Sequence, residues 1–294
     1  MKSRRRWRGF YFLLGVLLAY VAACFSLANK LLSPVTEIAP KPPHFLEEDL
    51  PGGTPVWFAG EPRKAPVVFV FVHGFRATRA HWRQAMEDMA KSGFAAVAPD
   101  LPGHGKSPDR VCTFGVKESL TVLSVAHWVR AKAPDAKVVL VGASMGGAAC
   151  WMAVQQEPNC ADAVVTESAY AHLDDAVGSW FDRSVPGVGR FLLAPVAWIA
   201  ESKLGLKIRD VNPIEGARSW AGKPCLVIHD GDDLTIPLRQ GELLAEATKS
   251  PLWTIPGVAH VEGYARARDE YRSRLLGIAA ELLKPASRAG SRQP

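Results

Sequence analysis

The chain has 294 residues, 48% of them hydrophobic and 22% charged, a composition that excludes a disordered chain and allows a large core. The net charge of +6 gathers at the two ends, with Lys2, Arg4, Arg5, Arg6 and Arg8 before residue 9 and Arg288 and Arg292 near the last residue. The stretch between is close to neutral, so no nucleic-acid footprint is expected, and the five cysteines form no CxxC pair and no Cys/His ligand spacing, so no metal site is expected either.

Residues 9–28 carry no charge. About 20 apolar residues at roughly 1.5 Å rise each cross a hydrocarbon core of about 30 Å. The basic cluster before them should stay in the cytoplasm, which makes residues 1–30 an anchor or signal segment with everything after it on the extracytoplasmic side. An uncleaved transmembrane anchor is the first reading. Cleavage after Val21-Ala22-Ala23 or Ser26-Leu27-Ala28 would instead give a secreted or periplasmic protein. The run Val21-Ala22-Ala23-Cys24 is also similar to a bacterial lipobox, which would place a lipid on Cys24.

Residues 31–66 hold Pro34, Pro40, Pro42, Pro43, Pro51, Pro55, Pro62 and Pro66 and read as a spacer, with an edge hairpin around Val56-Trp57-Phe58. From residue 67 apolar runs alternate with helical stretches. Strands are expected at 67–72, 95–98, 138–141, 163–166 and 225–228, with helices at 77–92, 119–133 and 146–156. Runs such as Val-Val-Phe-Val-Phe-Val fit strands buried on both faces, so residues 67–284 are expected to be an α/β domain with a mostly parallel twisted sheet between helices. The 58 residues between Thr166 and Cys225 are too many for a simple connection, which predicts a helical cap at roughly 172–212. Its Trp180, Phe181, Phe191, Leu192, Leu193, Trp198 and Ile199 would form a small core of the cap or wall an apolar pocket. Residues 285–294 read as a polar tail. Cys150 and Cys225 fall in apolar runs and read as core residues, and a Cys112–Cys160 disulfide is left open.

Gly142-Ala143-Ser144-Met145-Gly146 fits G-x-S-x-G and stands between a predicted strand and a predicted helix. A sharp strand-to-helix turn pushes a serine Oγ out of the sheet, and the helix N-terminus behind it offers backbone N–H groups to a developing negative charge. The plainer alternative is Ser144 as a helix cap. Acids follow a later strand at Asp230, Asp232 and Asp233, and His260 stands in a loop before a final helix. Nucleophile, acid and histidine thus occur in the order that a Ser-His-Asp triad on such a sheet requires. Taken singly, the acids would be a solvated turn and His260 a helix cap.

These motifs resemble the α/β-hydrolase superfamily over roughly residues 55–283. Val72-His73-Gly74-Phe75 is similar to the His-Gly oxyanion loop, and the run Asp100, Gly103, Gly105, Ser107 to the D-x-x-G-x-G-x-S turn. Glu167-Ser168-Ala169-Tyr170, with Gly257, His260, Tyr264 and Tyr271, resembles the serine-aminopeptidase-like (S33-type) and BEM46-like hydrolases. The resemblance implies Ser144 as nucleophile, His260 as base and Asp233 as acid, the last because it lies four residues before Pro237. It further implies backbone N–H groups of Phe75 and Met145 as oxyanion donors, with His73, Gly74, Gly142 and Gly146 supporting them and Asp100 to Ser107 as a structural turn. His229-Asp230-Gly231 stands where many relatives have His-Gly-x. A serine at the elbow argues against dehalogenase or epoxide-hydrolase chemistry, which uses an aspartate there. The expected activity is hydrolysis of a carboxylic ester or related acyl substrate, without metal or organic cofactor. The alternatives are peptidase or acyltransferase chemistry on the same triad, or a non-catalytic binding protein on this fold.

Overall fold

The computed structural model describes residues 2–34 and 38–285, so nearly all of the expected polar tail at 285–294 lies outside the described residues. In chain order the strands are β1 (Leu46–Asp49), β2 (Pro55–Ala59), β3 (Val67–Val72), β4 (Ala95–Pro99), β5 (Lys137–Ala143), β6 (Ala163–Glu167), β7 (Cys225–Asp230) and β8 (Leu252–Ile255). The helices are α1 (Lys2–Leu32), α2 (Arg83–Lys91), α3 (Val116–Lys132), α4 (Met145–Gln156), α5 (Leu173–Ser184), α6 (Gly189–Leu204), α7 (Ile214–Ser219), α8 (Leu238–Thr248), α9 (Gly263–Arg266) and α10 (Arg268–Leu282).

The eight strands form one sheet in the order β1-β2-β4-β3-β5-β6-β7-β8. From β4 to β8 all neighbours are parallel, while β1, β2 and β4 are joined antiparallel. Alternate residues of the buried strands feed two cores. Val68, Val70, Val138 and Leu140 pack on one side with Val122 and Val125 of α3 and with α4. Val67, Phe69, Phe71, Val139 and Val141 pack on the other with Met86 and Met89 of α2 and with Leu275 and Ile278 of α10. This is an α/β-hydrolase architecture, a sheet covered on both faces.

An edge hairpin stands around Val56-Trp57-Phe58, as the sequence suggested: β1 and β2 pair antiparallel, and β2 joins the sheet beside β4 with Val56, Trp57 and Ala59 buried. Two details depart from the sequence reading. Helix α1 runs on to Leu32, and its last turns dock on α6 through a cluster of Cys24, Ala28, Val196 and Ile199. Cys112 and Cys160 form no disulfide; both are free and buried, and the Cys112 Sγ lies 3.5 Å from the Met145 Sδ.

Candidate active site

Strand order reverses between β3 and β5, since β4 lies on one side of β3 and β5 on the other. In an open parallel sheet such a switch point leaves a crevice beyond the strand C-termini, where loops diverge to opposite faces. The His73-Gly74-Phe75 loop leaves β3 at this crevice, and Ser144 leaves β5.

Ser144 takes φ 50° and ψ −120°, a conformation that a non-glycine residue adopts only under constraint. The constraint comes from close packing of the turn. A Cβ on Gly146 would run into the Val72 and His73 carbonyl oxygens, and one on Gly142 would approach the Gly146 carbonyl and the Gly147 Cα. The Ser144 N–H donates to the Glu167 carbonyl at 2.8 Å, which ties the turn to the end of β6.

The Ser144 hydroxyl donates to His260 Nε2 at 3.0 Å, and His260 Nδ1–H donates to Asp233 Oδ2 at 2.6 Å. A carboxylate can only accept, which fixes the proton on Nδ1 and leaves Nε2 free to receive one. The second Asp233 oxygen accepts from the Thr235 and Ile236 N–H groups at 2.7 and 2.9 Å. Burial works to raise the Asp233 pKa, but the bonds from His260 and these two amides prevail and hold the carboxyl below its ordinary value. His229, kept neutral by burial, donates to the Ile236 carbonyl at 3.0 Å and steadies the same loop.

The three acids after β7 part company. Asp232 is exposed, Asp233 meets His260, and Asp230 is fully buried. Asp230 Oδ2 accepts from the Ser168 hydroxyl at 2.9 Å and from the Val261 N–H at 2.7 Å, directly beside His260. Val261 stands at φ 61°, so the loop carrying the histidine is itself held in an unfavourable conformation. Glu167 accepts from the Gly263 N–H at 2.8 Å and faces Asp230, and both carboxyls are raised above their ordinary values, chiefly by burial. Burial and then the Asp230 charge push Glu167 to about 8, so the pair holds a proton at neutral pH. The sequence reading set Asp230 aside and gave Glu167 no role in a site.

A raised pKa means that the folded state binds this proton more tightly than the unfolded chain does. Stability should therefore fall as pH rises from about 4.5 through about 8. Thermal midpoints at about pH 6 and about pH 9 should drop for wild type and change less for Glu167→Gln. Equal drops in the two proteins would contradict a shared proton.

On the other side of the crevice the Gly74 position lies so close that a Cβ there would sit 3.2 Å from the Ala143 carbonyl and the Ser144 Cβ. Two buried histidines hold this loop. His73 Nδ1–H donates to the Gly74 carbonyl at 2.8 Å while its Nε2 accepts from the Leu101 N–H at 3.1 Å. His104 Nδ1–H donates to the Pro102 carbonyl at 2.7 Å while its Nε2 accepts from the Arg76 N–H at 3.0 Å. Burial lowers both pKa values, and each ring needs its neutral form to make both bonds. His104 was missed in the sequence; its one signal is its place between Gly103 and Gly105. Asp100 accepts from the Arg79 and Lys106 N–H groups, both at 3.0 Å, and serves the turn.

Met145 opens α4, so its N–H has no carbonyl one turn earlier in the helix to bond. Phe75, Ser144 and Met145 line a cavity of about 310 Å³ whose other walls come from α5, α6, the end of α1 and loop residues such as Phe114, Tyr170 and Ile236. Its lining is largely apolar, with Leu173, Val177, Phe181, Val196 and Ile236 among the contributors. No group of three or more His, Cys, Asp or Glu side chains able to hold a metal ion is found among the described residues.

A family model described as alpha/beta hydrolase fold matches residues 67–205. Human protein ABHD12B is 25% identical over 212 residues, covering 69% of this chain and 56% of that protein. Bovine protein ABHD8 is 30% identical over 105 residues, 35% of this chain and 23% of its own. The chain thus spans about half or less of the length of these curated relatives. Among solved structures, the Pyrococcus furiosus esterase Pf2001 superposes with a TM-score of 0.68 at 19% identity, covering 86% of this chain and 98% of that one. Sheet order, the turn after β5 and the matched family model agree that the chain has the α/β-hydrolase fold.

Proposed function

We propose that the chain is a serine hydrolase that cleaves a carboxylic ester or related acyl compound through an acyl-enzyme on Ser144. The observation that carries this reading is the Ser144–His260–Asp233 hydrogen-bond chain opening onto a largely apolar cavity. His260 Nε2 takes the hydroxyl proton as Ser144 Oγ attacks the acyl carbonyl carbon, and Asp233 stabilises the resulting imidazolium. The N–H groups of Met145 and Phe75 receive the oxyanion; one such donor is worth about 3–4 kcal/mol in the transition state. As the intermediate collapses, the alcohol leaves with the proton from His260. Water then repeats the sequence, giving up a proton to His260 and releasing the carboxylic acid and free Ser144.

Ester cleavage is favoured over aminopeptidase chemistry by the lining of the cavity. A free ammonium group would need a carboxylate there, and Glu201, the one acid in the lining, is engaged by the Ile208 N–H and Lys207. Glu167 and Ser168, part of the motif shared with aminopeptidase-like hydrolases, are used to hold the His260 loop. Helix α1, apolar over Trp7–Leu32, would anchor the chain in a membrane with the hydrolase domain on the side opposite the basic N-terminus.

A fluorophosphonate probe should label the wild-type protein, and Ser144→Ala should remove all labelling. A well-folded wild type that takes no label would overturn the serine-hydrolase reading. Nitrophenyl esters compared with aminoacyl amides then check the preference for esters.

A further inference from the structure

We infer that the end of α1 is a working wall of the acyl pocket, so that the helix is retained in the mature enzyme and the substrate is a long-chain acyl ester drawn from the bilayer. The inference rests on the serine-hydrolase reading above and adds to it a substrate class and a residue that sets it.

Helix α1 has two unlike parts. Residues 7–23 are exposed without exception although nearly all are apolar. From there Cys24, Ala28 and Leu32 are buried at a spacing of four, one stripe along the helix. Cys24 and Ala28 of that stripe meet Val196 and Ile199 of α6. Polar bonds bracket the contact: the Tyr20 hydroxyl donates to the Leu192 carbonyl at 2.7 Å, and the Lys203 ammonium to Asn29 Oδ1 at 2.6 Å. Beyond it, the Cys112 N–H donates to the Leu32 carbonyl at 2.7 Å. The docked turns are thus part of the hydrolase domain, and cleavage after Ala23 or Ala28 would expose the apolar face of α6.

The exposed part is 17 residues long, about 25 Å at the helical rise, the lower limit for a transmembrane span. Trp7 and Tyr20 stand near its two ends, where aromatic side chains mark membrane interfaces. Since α6 meets α1 at the Tyr20 level, the start of α6 lies at the outer interface, and there Phe191 is 81% exposed. Arg190, at the same end, is paired with Asp182. A bilayer covers such a surface without a protein partner.

Leu31 projects from the docked turns into the same cavity as Ser144, beside Val196 and Ala200 of α6. One wall of the pocket is therefore made by the helix that enters the bilayer. A long acyl chain seated on Ser144 would reach this wall, whereas a short soluble ester gains nothing from it.

The test uses the full chain in detergent micelles, with nitrophenyl butyrate, dodecanoate and hexadecanoate as substrates. Leu31→Trp should lower the dodecanoate-to-butyrate ratio of kcat/KM about tenfold, and Leu31→Ala should raise the hexadecanoate-to-dodecanoate ratio. Opposite shifts from the two variants would not come from misfolding, and fluorophosphonate labelling of both confirms an intact site. Unchanged ratios in labelled variants would overturn the pocket-wall role while leaving the serine-hydrolase reading standing. Absence of label in wild type would remove the underlying reading instead. The intact mass of the membrane-extracted protein should include α1, and a mature chain starting after Ala23 or Ala28 would overturn its retention.

Discussion

Asp233→Asn should lower kcat/KM by roughly 10⁴-fold with little change in KM. The side-chain amide that replaces the carboxylate is able to donate to Nδ1, which favours the tautomer with its proton on Nε2. That nitrogen then faces the Ser144 hydroxyl as a donor and has no lone pair to take the proton. The negative charge that would stabilise the imidazolium is lost at the same time. Asp232→Asn should stay within about twofold of wild type, because its side chain is exposed and makes no bond to the histidine. Steady-state kinetics on a single nitrophenyl ester decides the matter. If Asp232→Asn shows the large loss and Asp233→Asn the small one, the acid has been misassigned.

Gly146→Ala should destabilise the fold by about 3 kcal/mol or more, enough to reduce the yield of folded protein sharply. The new methyl group would meet the carbonyl oxygens of Val72 and His73, which are backbone atoms on a fully buried strand end and have nowhere to go. Either β3 shifts away from β5 or α4 tilts out of the sheet, and both movements separate the His-Gly loop from Ser144. The same substitution at Gly277 gives the contrast. It lies inside α10 with no atom within 4 Å of the added carbon, so Gly277→Ala should stabilise by roughly 0.5–1 kcal/mol. Thermal midpoints of the two variants against wild type check both signs. Equal behaviour would show that the elbow packs more loosely than its carbonyl contacts demand.

What was legible in the sequence was what sits at the ends of buried strands. Ser144 follows Val138–Val141 and Asp233 follows Cys225–Ile228, so apolar runs of fixed length point at them. His260 was read from its loop before a final helix, and the half-buried β8 ahead of it was not expected. Residues whose roles depend on partners far along the chain were not legible. Glu167 and Asp230 are 63 positions apart, and nothing local to either says that they face each other behind the histidine loop. His104 holds the β3 loop from 28 residues beyond Arg76. The membrane reading counted uncharged residues over 9–28, a measure blind to the burial of Cys24 and Ala28, which acquires meaning only against α6. Leu46-Glu47-Glu48-Asp49 reads as polar loop because β1 is an edge strand with little to bury, and its pairing with β2 decides its conformation.

That edge strand also bears on how the protein behaves at high concentration. An unpaired sheet edge invites a second chain to add a strand, and folds counter this with short, charged outer strands. Here the outermost strand has four residues, three of them acidic. Glu47 is held by Arg79 and Lys106, and Glu48 by Lys132, so the strand is pinned to its own domain. A second molecule approaching edge to edge would present the same acidic row and find few backbone groups to bond. Self-association through the sheet is opposed at this end by charge and by length together.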